Sequence, residues 1–241
     1  MIAVLTDAET DAEIGAGLGR ALRRRGEDVV VCLCGDESSP VADPVAGSDG
    51  VVARRGRADT GDEVAELLRR AEAGAARPLR AVVLASAGAC LTTPTPLIEL
   101  PAAGWRAGVE APLRRTLACF QGSYRCLRAG GGTLVLLVPS LALVGAAGLA
   151  PWATVAEGQR SLAKAAARAW GPHGIRVNCV AVAAALLAPG ARFERPGSPD
   201  AALAVADHDA VAAVVAGLSG ERWRAVTGAT VSADGGVWMT P

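Results

Sequence analysis

Four acidic residues alternate near the start of the chain, Asp7, Glu9, Asp11 and Glu13, just ahead of a helical pattern. Carboxylates so spaced can hold a hard cation, cap a helix or complement its dipole. A calcium loop needs glycine at its sixth position and glutamate at its twelfth. Counted from Asp7 those positions are Ala12 and Leu18, which excludes it. The remaining reading has Asp11 capping the first helix and Glu13 facing its positive end. Neither His173 nor His208 has a serine or cysteine nucleophile beside it in sequence. Cys32, Cys34, Cys90, Cys119, Cys126 and Cys179 form no CxxC pair and have no histidine partner at zinc spacing. Most lie in apolar runs and read as buried, reduced thiols, so no metal is expected. The chain has one tyrosine, Tyr124, and one lysine, Lys164, on different helical patterns.

The wider composition narrows the field. The 241 residues are 51% apolar and 20% charged, a balance that fits one large domain with a substantial core. Basic and acidic residues number 24 each, which leaves no net field to draw nucleic acid or anionic lipid. Residues 129–156 carry no charge and could suggest a membrane span. Gly130, Gly131, Gly132, Pro139, Gly145, Gly148 and Pro151 break that stretch into turn, strand, loop and helix start. With acids so close to Met1 the chain shows no secretory leader, and a cytoplasmic protein is expected.

These groups must be positioned by a regular alternation. Apolar runs at 2–6, 29–34, 81–85, 133–138, 175–181 and 229–232, with a weaker one near 51–53, read as strands. Helical patterns fall at about 12–25, 62–74, 104–128, 153–170 and 208–219, with Asp11 and Asp62 as caps. Strand alternating with helix means a parallel sheet with right-handed crossovers. The expected fold is α/β: a single Rossmann-like, doubly wound domain over 1–241, with about seven strands flanked by helices. Its ligand crevice would open at the carboxyl ends of the strands.

Three segments carry a family resemblance. "GPHGIRVN" (171–178) resembles the segment entering the sixth strand of the short-chain dehydrogenase/reductase family, "VTGATVSADGG" (226–236) its seventh strand and C-terminal turn, and "AVVLASAGA" (81–89) its fourth strand, all in the right order and spacing. The resemblance implies a nicotinamide cofactor, a ketone or alcohol substrate and assembly into dimers or tetramers. It also implies residue roles that this chain does not fill. The strand-ending threonine is Thr6 and the last glycine of the cofactor turn is Gly15, in a turn lengthened by two residues. The other two glycine positions fall on Asp7 and Glu13. A competing frame uses Thr10, Gly15 and Gly17, and would need the first strand to run through Asp7 and Glu9. Each close approach of carboxylate to diphosphate costs on the order of 1–4 kcal/mol, so no bound cofactor is expected.

The catalytic positions that the resemblance implies are similarly altered. The tyrosine position is Trp152 and the lysine position Ala156. The serine position is Pro139, with Ser140 one residue late, and the asparagine position is Pro112. An indole N–H donates a hydrogen bond but does not titrate in water, so Trp152 cannot move the proton. Ser86, Ser140, Trp152 and Ala183 are the candidate lining of any remaining pocket, and 184–205 occupies the place of the family's lid. Helices 104–128 and 153–170 are the surfaces through which the family pairs. In the latter, Ala153, Ala156, Ala163, Ala166 and Ala167 are small enough for close helix approach. The expectation is a catalytically silent subunit that pairs with an active homologue. The alternative is an enzyme repurposed for a non-redox cyclisation, dehydration or isomerisation, and an active NAD(P)-dependent oxidoreductase stands behind both.

Overall fold

Apolar runs that must hide both faces become the middle of the sheet. In a computed structural model that describes residues 1–36, 50–86, 94–188, 203 and 206–239, β1 (Ile2–Asp7), β2 (Val29–Cys34) and β4 (Ala81–Leu84) are buried at every position. β5 (Gly132–Pro139) and β6 (Ile175–Val182) are nearly so. The polar strands β3 (Val52–Gly56) and β7 (Thr230–Ala233) take the two edges, where one side meets water. All neighbours are parallel, in the order β3-β2-β1-β4-β5-β6-β7.

The chain leaves β3 at one edge and returns to β4 beside β1. This reversal opens a crevice at the carboxyl ends of β1 and β4. Leu5 pairs with Leu84, so the residues that follow each strand, Thr6–Asp7 and Ala85–Ser86, emerge at the same place.

Helices cover both faces. α1 (Ala12–Arg24) and α7 (His208–Ser219) lie on one; α2 (Gly61–Ala73), α4 (Ala111–Leu127) and α5 (Ala150–Trp170) lie on the other. A short helix, α3 (Ala102–Trp105), runs through a π-helical turn (Arg106–Glu110) into α4. α5 starts three residues earlier than the pattern predicts, because Pro151 in its first turn needs no N–H partner. α6 (Ala184–Leu187) is a single helical turn at the start of the segment read as a lid. The rest of that segment, apart from Ala188 and Leu203, lies outside the described residues, as do Cys90 and positions 87–89 of the segment "AVVLASAGA".

Three local expectations need correction. Asp62 is not the cap of α2: Thr60 accepts from the Glu63 amide and Glu63 returns the bond, a capping box worth about 1 kcal/mol. Asp62 instead pairs with Arg125 at 3.4 Å. Asp11 stands at the N-cap of α1, yet its side chain makes no capping bond; Ser86 draws it away. The alanine stripe of α5 does not point outward either. Ala156, Ala163, Ala166 and Ala167 are 0, 2, 6 and 5% exposed and pack into the chain's own core, because a 3.6-residue period fixes a face without saying which neighbour it meets.

One glycine is dictated by packing. A Cβ on Gly15 would come within 2.4 Å of Thr6 Cγ2, and Thr6 is held by its own bond from Oγ1 to Asp11 O at 2.7 Å. The helix can approach the strand only with hydrogen at this position. Gly15→Ala should therefore cost about 1–3 kcal/mol, read as a lower urea midpoint with unchanged slope.

α1 and α7 meet through a second such contact. His208 lies over Gly17, and its Nε2 is buried without a hydrogen-bond partner. Burial and then Arg20 push its pKa below 6.5, with Arg24 adding to them and Asp207 and Asp209 opposing. A folded-state value below the unfolded one means stability is full above about pH 6.5 and is lost as pH falls through the lower value. The urea midpoint should hold from about pH 8 to 7 and fall as the pH drops below about 6.5. His208→Gln should remove that part of the decline that titration of His208 causes.

Candidate functional site

The strand that ends in Asp7 sets the geometry of the crevice. After it the turn Ala8–Asp11 leads directly into α1. Thr10 therefore lies in the turn rather than on a strand. Glu13, exposed, and Gly15 already belong to the helix. Gly17 faces α7, away from the crevice.

The Asp7 side chain folds back over this turn. Its Oδ1 accepts the amides of Glu9 and Thr10, both at 2.9 Å. Its Oδ2 is paired with Arg115, which reaches across from the first turns of α4. The carboxylate is 8% exposed and the guanidinium 37%. Asp11, 3% exposed, accepts from Ser86 Oγ at 2.7 Å. Two carboxylates thus sit under the mouth of the crevice, each tied to a different strand end or helix.

Arg115 was not singled out by sequence. It also borders a cavity of about 300 Å³ at the carboxyl ends of β2 and β3, lined by Cys34, Gly35, Asp36, Arg57, Ala58 and Asp59. Arg57 spans Asp59 at 3.0 Å and Glu63 at 3.1 Å. Burial pushes the Cys34 thiol well up, and Cys32 and Cys119 to about 12, so none of these is a ready nucleophile at neutral pH. The five described cysteines are all free thiols.

Ser86 and Pro112 do come together, with Leu84, Arg115, Thr116 and Gln159, around a space of only about 10 Å³. That is room for one water at most. Thr116 Oγ1 donates to Pro112 O at 2.9 Å and accepts from Gln159 Nε2 at 3.0 Å. The other predicted positions are packed away. Pro139 ends β5 opposite Val182; Ser140, Trp152, Ala156 and Ala183 are 1, 3, 0 and 9% exposed. Trp152 belongs to the core cluster that also holds Leu141, Leu149, Val182 and Leu187.

The chain's one tyrosine and one lysine lie elsewhere. Tyr124 stacks near Trp170 and His173, at ring distances of 5.2 and 5.6 Å, where α4 and α5 turn back toward the amino ends of β5 and β6. It is twelve residues beyond Pro112, about 18 Å along the helix. Lys164 is exposed and equally far along α5 from Trp152. Arg160, which precedes it, is engaged by Thr230 and Glu157. Among the described residues, no three His, Cys, Asp or Glu groups cluster to hold a metal, and no helix is long and apolar enough to cross a membrane.

With this geometry in view, the lineage is plain. A family model described as "Enoyl-(Acyl carrier protein) reductase" matches residues 8–238, and the chain belongs to the short-chain dehydrogenase/reductase family. It is 33% identical over 184 residues to a cis-4-hydroxycyclohexanecarboxylate dehydrogenase of Sinomonas cyclohexanicum, covering 75% of this chain and 71% of that one. It is 29% identical over 246 residues to the mouse (3R)-3-hydroxyacyl-CoA dehydrogenase, covering 93% of each. Among solved structures, the 3-ketoacyl-(acyl-carrier-protein) reductase of Brucella melitensis, complexed with NADH, superposes with a TM-score of 0.78 at 18% identity. That match covers 99% of this chain and 98% of the other.

The Asp7–Arg115 pair makes a direct prediction. Arg115→Met leaves a nearly buried carboxylate without its counter-charge and should cost about 1–3 kcal/mol at pH 7. The double variant Asp7→Asn/Arg115→Met should recover part of that loss, measured as urea midpoints at neutral pH.

Proposed function

We propose that this protein is a short-chain dehydrogenase/reductase that has given up hydride transfer and serves as a catalytically silent subunit beside an active homologue. The observation that carries this reading is the placement of Tyr124 and Lys164. They are the only tyrosine and lysine in the chain, and both stand about three helical turns from the crevice residues on their own helices. Acid–base help to a carbonyl needs a titrating group within hydrogen-bond reach. At the corresponding place this chain presents Trp152, whose N–H only donates, and Ala156.

The cofactor turn supports the same reading. A dinucleotide is held where free backbone amides at a helix start meet its diphosphate. Here the Glu9 and Thr10 amides are bonded to Asp7, and Asp11 and Glu13 stand close by. These residues do not fit a diphosphate. Titration with NADPH or NADH should give no saturable fluorescence response up to about 1 mM, weaker than about 4 kcal/mol of binding. No oxidation of the coenzyme should follow with 3-oxoacyl thioesters or cyclic ketones. Saturable binding with turnover would favour the competing reading, an active dehydrogenase, which the names of the relatives support.

For pairing, the outer faces of α4 and α5 are the surfaces offered. α4 exposes Ala111, Arg114 and Leu117, and α5 exposes Glu157, Ser161 and Ala165. Leu117 is 47% exposed, an apolar residue between polar ones. Co-expression with an active short-chain dehydrogenase/reductase from the same genome should give a mixed oligomer by native mass measurement. Leu117→Arg should dissociate that oligomer while leaving this chain folded. A stable homo-oligomer that ignores the homologue would remove the pairing role.

A further inference from the structure

The disagreement between the cofactor turn and a diphosphate has a specific form. Asp7 does more than repel an incoming anion, because its own carboxylate makes the contacts an anion would make. One oxygen takes the two turn amides, the other takes a guanidinium, and the group is almost wholly withdrawn from water. Such a carboxylate is the intramolecular equivalent of a bound oxyanion. Its cation is not local to the turn: Arg115 comes from α4, 108 residues on, and stands on the wall of the 300 Å³ cavity beside β2 and β3.

We propose that the crevice keeps a functional oxyanion site whose permanent ligand is the Asp7 side chain, and that this self-occupation keeps diphosphate-bearing molecules out. The inference rests on the reading that the chain holds no dinucleotide, and it names the cause. Two consequences separate it from simple decay of the site. The cradle remains assembled, since the amides still converge and the guanidinium still faces them. Emptying the cradle should therefore expose a working site without any further change. The acids that remain do not close it: Asp11 is engaged by Ser86, while Glu9 and Glu13 are exposed to solvent that screens them.

The test compares full-length wild type with Asp7→Ala in thermal unfolding, with inorganic pyrophosphate against sodium chloride at equal ionic strength. Wild type should show no difference between the two salts. Asp7→Ala should melt lower in chloride and rise by about 2–4 °C in about 10 mM pyrophosphate. Asp7→Ala/Arg115→Met should lose that rise. Should Asp7→Ala fail to fold, Asp7→Val takes its place, since it also removes the acceptor from the Glu9 and Thr10 amides and suits the end of a strand, and the same rise is expected. An equal rise in wild type, or none in a folded Asp7 variant, overturns the self-occupied site. Coenzyme turnover by wild type would instead sink the silent-subunit reading, whatever pyrophosphate does to the variants.

Discussion

A charge withdrawn from water must be matched where it stands, and the crevice is organised around one such match. The Asp7 carboxylate is available to water over only 8% of its side chain, so its two oxygens recruit two turn amides and the Arg115 guanidinium. Those contacts fix the path of the chain from β1 into α1. They also hold the start of α4 against the carboxyl ends of the central strands. Removing a partner strands a buried charge, which costs more than the pair itself contributes. The arrangement therefore persists as a unit at the carboxyl end of β1.

The same economy of space runs through the rest of the crevice. Ser86 is turned onto Asp11. Gln159 and Thr116 satisfy one another beside a gap of about 10 Å³. Trp152 and Ser140 are core residues. The family's fold is complete, with seven parallel strands and helices on both faces, and a TM-score of 0.78 to a relative complexed with NADH. On the proposed reading the scaffold is kept without hydride transfer, since function resides in particular side chains placed on a fold.

Much of the scaffold was legible in the sequence. Strands covered on both faces must be apolar throughout, so β1, β2, β4, β5 and β6 stood out as runs, and α7 was read to the residue. The edge strand β3, with Arg54 and Arg55, was weak because half of it meets solvent. Gly15 could be placed by counting back from the second strand against the family's pattern, while the close approach to Thr6 that excludes a Cβ there is visible only in the fold. The relations that define the crevice were not legible in the same way. Asp11 reads as a cap until β4 is known to end beside it and supply Ser86. The α5 alanines read as an interface stripe until the sheet beneath them is seen. Arg115 gave no signal at all, because the partner that gives it meaning lies 108 residues away in sequence.

The central claim is that the Asp7 carboxylate, and not a dinucleotide's phosphate, occupies the amides of the first turn. A high-resolution crystal structure of the wild-type protein grown with saturating NADPH tests this directly. The account predicts Asp7 Oδ1 on the Glu9 and Thr10 amides, Arg115 on the other oxygen, and no diphosphate density over the turn. A diphosphate seated on those amides, with Asp7 swung out toward solvent, would contradict it.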